Sequence, residues 1–141
     1  MRRDEGSILP LTIFYGVLAL VLVLLVSAAT SLYLERKRLF TVADGASLVG
    51  AEAFDLTEVT ETGGVFDPHL STTDVASAVD DYLAGDGVTA FDRLAVERAE
   101  STDGRSATVE LSANWSPPVV SLLVPNGIRI EVTSTARSVF R

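Results

Sequence analysis

The sequence predicts an α+β fold in which one long N-terminal transmembrane helix continues into a small domain with a three-stranded antiparallel sheet and one additional short helix. Three patterns favour this class. Residues 6–34 carry no charged side chain, and residues 39–54 repeat apolar and small side chains at helical spacing. Apolar and polar side chains alternate with period two around 94–96, at 107–115 and, after a break, at 128–137.

The charge-free segment is long enough to span a membrane. A hydrocarbon core of about 30 Å requires roughly 20 residues at about 1.5 Å each. The segment follows Arg2-Arg3-Asp4-Glu5 and precedes Glu35-Arg36-Lys37-Arg38. We therefore predict a short tail at 1–7 and a transmembrane helix at 8–34.

The alternative is a cleaved secretory signal, because Ser27-Ala28-Ala29 resembles a small-residue cleavage site. A signal has an apolar region of about 7–15 residues. The apolar run at 8–26 is longer and is followed by a basic cluster, which favours an anchor. The basic residues on the two sides of the segment nearly balance, so they do not set its orientation.

The remaining chain is long enough for one small acidic domain, predicted at 55–141. From residue 39 onward it holds 16 Asp and Glu against six Arg, a formal charge of −10. Nucleic acid and anionic lipid are poor partners for such a surface. The chain has no Cys and only one His, so we predict no Cys/His zinc site. No nucleophile-base pair, phosphate-binding loop or metal-ligand pattern is evident in the sequence, so we also predict no cofactor, no small-molecule substrate and no enzymatic activity.

Helical spacing continues past the basic cluster, so we predict an extension of the same helix at 35–54. Its face of small side chains lets a neighbouring backbone approach closely. It packs within the domain or against other subunits, and the candidate residues are Ala43, Ala46, Val49 and Gly50.

Residues 4–54 resemble the TadE/TadG-like proteins of the Tad (Flp) pilus assembly system. The segment from Asp4 to Leu11 is similar to that family's Gly-Ser lead-in, and 32–39 to its aromatic and basic exit. Residues 39–51 resemble its Ala-rich "ADAAALAGA" helix, with Gly45 where Ala is usual. The resemblance implies a pilin-like domain outside the bacterial cell membrane, a cytoplasmic N-terminus, and membrane lipid and other pilus subunits as partners.

Some members of that family are cleaved after a Gly that is followed, at the fifth position, by Glu. Gly6-Ser7 is a possible junction of this kind. The fifth residue after Gly6 is Leu11, with Pro10 before it, so the chain departs from the processing pattern. We predict that the N-terminus is retained.

The acidic domain begins with a predicted loop at 55–71, which contains Asp55, Glu58, Glu61, Asp67 and His69. A helix is predicted at 72–84, and the Ser, Thr and Asp side chains at 71–74 offer N-caps for its first turn. Strands are predicted at about 92–100, 105–115 and 128–139, with a hairpin turn at Asp103-Gly104. The two helices are the available cover for the apolar face of the sheet.

Between the last two strands, residues 116–127 hold several aliphatic side chains among prolines. They include Val119, Val120, Leu122 and Leu123. We favour a buried turn, and the alternative is a segment that enters the membrane interface or contacts a partner.

Two functions are compatible with these patterns. The first is a membrane-anchored structural or assembly component of a Tad/Flp-type pilus or a related secretion apparatus. The second is a membrane-tethered binding module whose acidic loop holds a cation or a basic envelope ligand. The neighbouring acids Asp80 and Asp81 are interpreted as a solvated helix face rather than a catalytic pair.

Overall fold

A computed structural model describes residues 8–137 apart from 55–59, 63–64, 68, 86–87, 89–90 and 122–123. The first element is a single helix, α1, at Ile8–Glu52. It is continuous through the predicted boundary at Leu34. Its first part meets the length and hydropathy expected of a membrane-spanning helix, and none of that apolar window is buried.

The segment after α1 differs from the predicted loop. It contains two short antiparallel strands, β1 at Thr60–Thr62 and β2 at Val65–Asp67. Strands of three residues have too few positions to show a period-two pattern, so the alternation that predicts the longer strands is absent here. Asp55 and Glu58 lie outside the described residues.

Helix α2 spans Thr72–Leu83 and begins at the predicted cap. The Ser71 hydroxyl oxygen accepts a hydrogen bond from the Asp74 backbone N–H at 3.1 Å, and the hydroxyl donates to the Asp74 carboxylate at 2.6 Å. This arrangement satisfies an N–H at the start of the helix that has no intrahelical acceptor. The apolar side of α2 buries Val75 and Val79.

Three longer strands form one antiparallel sheet in the order β3-β4-β5. They lie at Asp92–Glu100, Ser106–Trp115 and Ile128–Arg137. Strands β4 and β5 pair without interruption from Ser106 opposite Arg137 to Trp115 opposite Ile128. A four-residue helix, α3, at Pro118–Ser121 lies in the connection between them. The predicted α+β class is confirmed.

Strand β3 departs from the predicted alternation. Leu94 is half-buried and packs on the core, but Val96 is 38% exposed. The pairing of β3 with β4 shifts register between residues 92 and 95 and again between 96 and 98. Each shift changes which side chains face the helices, so the period-two pattern is lost along this edge strand.

The turn between β3 and β4 confirms the predicted hairpin. Gly104 has a φ of +69°, which favours glycine. One Asp103 carboxylate oxygen accepts hydrogen bonds from the backbone N–H groups of Arg105 and Ser106 at 2.9 and 2.7 Å. These bonds lower the pKa of Asp103 to about 2, so this end of the sheet carries a fixed negative charge at neutral pH.

Candidate functional site

The small-residue face of α1 forms the centre of the domain core. Its fully buried positions recur every three or four residues, and α1 contacts β4, β5 and α2 through this side of the helix. The buried positions are Leu39, Ala43, Ala46, Ser47, Gly50 and Ala51. Val49, also predicted for this face, is half-buried. Ala43, Ala46 and Gly50 therefore pack inside the chain and present no exposed surface to another subunit.

Side chains of α2 and β4 lie so close to α1 at Gly45 and Gly50 that they leave little room for a Cβ atom. A Cβ atom at Gly50 would lie 3.2 Å from both the Ala107 Cβ and a Val75 methyl group. A Cβ at Gly45 would lie 2.9 Å from the Tyr82 ring carbon that bears the hydroxyl. Gly45 is the position where the sequence departs from the Ala-rich pattern. The departure thus makes room for the Tyr82 ring of α2 against α1.

A polar contact crosses the interface between α1 and the sheet. The hydroxyl oxygens of Ser47 and Ser134 lie 3.2 Å apart, Ser47 donates to the Asp44 carbonyl at 2.9 Å, and Ser134 donates to the Asp44 carboxylate at 3.1 Å. Both serines are buried. Sequence reasoning missed Ser134, although its place between Val132 and Ala136 on the apolar face of β5 is a signal that could have found it.

The sheet also contacts the apolar part of α1. The Trp115 indole N–H donates to the Ser31 hydroxyl at 3.2 Å, and Trp115 is buried. Ala28 and Leu32 pack against the core from α1. Contact with the domain therefore begins six residues before the predicted membrane boundary at Leu34.

The connection between β4 and β5 is partly described. Val120 is half-buried and packs on the core, which agrees with the predicted buried turn, whereas Val124 is 39% exposed. Leu122 and Leu123 lie outside the described residues, as does the Val119 side chain. The described part of this segment therefore has one valine packed on the core and one at the surface, and the choice between a buried turn and a membrane or partner contact stays a prediction.

Large apolar side chains remain exposed on the side of α1 that the sheet and α2 do not cover. Beyond the basic cluster these are Phe40 and Leu48, which are 47% and 52% exposed. Sequence reasoning assigned the contact surface to the small side chains instead.

The candidate titratable side chains that the structure describes lie at the surface. Asp80, Asp81, Asp92 and His69 are exposed. Among the described residues, no group of three or more His, Asp or Glu side chains could hold a metal ion. The possible processing junction at Gly6 and Ser7 lies outside the described residues.

Comparison with known protein families finds a match that covers α1. Residues 6–53 match the family model described as "Putative Flp pilus-assembly TadE/G-like". This segment is therefore similar to the TadE/TadG-like family. The match confirms the resemblance that the sequence predicts, covers about a third of the chain, and supports a role related to pilus assembly. No curated protein and no solved structure matches the chain.

The TadE/TadG-like helix gives a prediction at Ala46. Replacing Ala46 with leucine adds a larger side chain at a position with no exposed surface. We expect the free energy of unfolding to fall by about 1–3 kcal/mol, the usual cost of overpacking a core. Urea unfolding of the detergent-solubilised chain, followed by the fluorescence of Trp115, measures this change.

The matched control is the double variant Asp80→Asn/Asp81→Asn on the exposed side of α2. Its unfolding free energy should stay within about 0.5 kcal/mol of the parent value. If Ala46→Leu leaves the free energy of unfolding unchanged while the Asp80/Asp81 variant lowers it, the result would favour an acidic binding site over a packing role for this helix.

Proposed function

We propose that the chain is a membrane-anchored, pilin-like structural or assembly component of a Tad/Flp-type pilus or a related secretion apparatus. One observation carries the proposal: the segment that matches the family is a single helix, apolar in its first part and central to the domain core in its second. A continuous helix couples the position of the domain to that of the membrane. Such a component works through packing and subunit contacts rather than catalysis.

The proposed location is the bacterial cell membrane, crossed once, with the N-terminus in the cytoplasm and the acidic domain outside. The TadE/TadG-like match supports this orientation, whereas the charges flanking the helix are nearly balanced. Reporters fused after Arg141 test it. An enzyme reporter that is active only outside the cytoplasm should be active, and a reporter that fluoresces only inside should be dark. The reverse pattern would overturn the pilus proposal.

The proposed partners are other pilus-assembly or pilin-like subunits. Because Ala43, Ala46 and Gly50 are buried, subunit contacts would use the uncovered side of α1, where Phe40 and Leu48 are exposed. Aromatic side chains such as that of Phe40 are enriched at the cores of protein interfaces, and Leu48 adds exposed apolar area beside it. Their exposure also means that truncating them removes little packing within the domain.

Counting surface pili tests this part of the proposal. A strain lacking the chain should lose pili and regain them with the parent protein. The double variant Phe40→Ala/Leu48→Ala should restore fewer pili while its unfolding free energy changes by less than about 0.5 kcal/mol. Thr41→Ala, at an exposed position of the same helix, is the matched control and should restore pili fully. Normal piliation in the strain without the chain would contradict the proposal.

A further inference from the structure

We propose that the end of the domain formed by Trp115, Val120, Val124 and Ile128 rests in the interface of the bilayer that α1 crosses, as a second lipid contact. This inference rests on the proposed membrane anchoring. The ligand is the boundary between phospholipid headgroups and acyl chains in the leaflet on the domain's side. The contact would hold the domain in one orientation relative to the membrane.

The part of α1 that precedes its first contact with the domain is about as long as a bilayer core is thick. Every residue of α1 from 8 to 27 is exposed, and Ala28 is the first that is partly covered. A helix of this length rises about 30 Å, which equals the thickness of the hydrocarbon core. No spacer therefore remains between the membrane and the domain, so the nearest parts of the domain lie at the headgroup layer.

One end of the three-stranded sheet lies nearer the membrane than the other. Ser134 contacts Ser47, whereas Trp115, which pairs with Ile128, donates to Ser31. Moving back along β5 from Ser134 to Ile128 therefore means moving along α1 towards the membrane. The described residues between Trp115 and Ile128 continue from this end of the sheet, and α3 among them contacts α1.

The chain at the membrane-facing end of the sheet is less polar than the turn at the opposite end. Residues 111–128 carry no charged side chain, which makes this the longest uncharged stretch after Arg38 in a domain that is otherwise strongly acidic. Val124 and Ile128 are 39% and 41% exposed. The opposite end of the sheet holds the charged turn at Asp103 and Arg105. Asp92, which pairs with Asn114, and Arg93 and Arg129 are also exposed at this end. Lipid contact there would place these charges among the headgroups and bury the exposed apolar side chains of Val124 and Ile128.

A groove beside this end suits a headgroup layer. Trp115, the sole Trp of the chain, is buried here against α1, so it marks the level of Ser31 on the helix and does not itself contact lipid. Just above it, Tyr33, Arg36 and Arg129 help to line a groove of about 450 Å³ between α1 and β5. Arg129 pairs with Glu97 at 2.6 Å, whereas Arg36 has no ion pair among the described residues. Arg36 is therefore available for a lipid phosphate.

The test uses the absence of native Cys to place one environment-sensitive fluorophore at a time. The full chain carrying Val124→Cys is labelled and reconstituted into vesicles of phosphatidylcholine with a minor fraction of phosphatidylglycerol. We expect a blue shift and a severalfold rise in emission relative to the label at Thr135→Cys, an exposed position near the other end of β5. Quenching by lipids brominated near the headgroups should reduce the Val124 signal and spare the Thr135 signal.

Three results would overturn the inference or separate it from its premise. A label at Val21→Cys reports on the anchor itself. If Val21 is in lipid but Val124 matches Thr135 in water, the anchor stands and the second contact is wrong. If Val21 is also in water, the membrane anchoring is wrong. If the shielding of Val124 is lost when the protein is diluted in lipid, a second copy of the chain covers this end, and the lipid assignment fails.

Discussion

Replacing Leu39 with alanine should lower the free energy of unfolding of the domain by about 2–5 kcal/mol, the range for removing a large apolar side chain from a core. Leu39 is the first fully buried residue of α1 and among the largest buried side chains in the described part of the chain. Its loss leaves a cavity between the helix and the elements packed on it. A domain of this size has only a modest core, so the loss is a large fraction of its stability.

The neighbouring residue provides the control. Phe40 is 47% exposed, so Phe40→Ala should change the unfolding free energy by less than about 0.5 kcal/mol. Trp115 reports on both variants because it is hydrogen-bonded to α1 and loses that environment when sheet and helix separate. Equal effects of Leu39→Ala and Phe40→Ala would contradict the packing of α1 into the core.

Two arginines in the apolar part of α1 should prevent much of the protein from inserting into the membrane. An arginine near the centre of a spanning helix costs about 2.5–3.5 kcal/mol on insertion scales. The double variant Leu18→Arg/Leu22→Arg should therefore oppose insertion by roughly 5–7 kcal/mol if the two costs add. We expect a marked loss of the protein from the membrane fraction, measured by fractionation after an alkaline wash.

The matched control puts the same two charges on the same helix beyond the membrane. Phe40→Arg/Leu48→Arg alters exposed positions outside the charge-free segment, so the membrane fraction should be unchanged. Similar losses for both pairs would show that the apolar segment is not the anchor.

The main elements could be predicted because each depends on a local pattern. Helical spacing that continues through Leu39, Ala43 and Ala46 predicts that the helix extends into the domain, and the structure has one helix there. Asp103-Gly104 predicts the hairpin, since the turn requires a positive φ. The uninterrupted alternation of β4 predicts its buried face, from Ala107 to Trp115.

The remaining features depend on long-range packing. The exposure of Val96 follows from register shifts against β4, which the sequence of β3 alone does not encode. The assignment of Ala46 and Gly50 to the inside of the chain depends on the position of α2, because small side chains suit an internal core and a subunit interface equally well. The first contact at Ala28 likewise depends on where the sheet meets the helix.

The central claim is that one uncut helix is both the anchor and the centre of the core. Fractionation combined with intact-mass measurement of the protein made in cells tests it most directly. We expect the chain in the membrane pellet, resistant to an alkaline wash, with residues 8–27 still joined to the domain. A soluble protein whose N-terminus lies near Ala28 or Ala29 would contradict it, because the apolar segment would then be a removed signal.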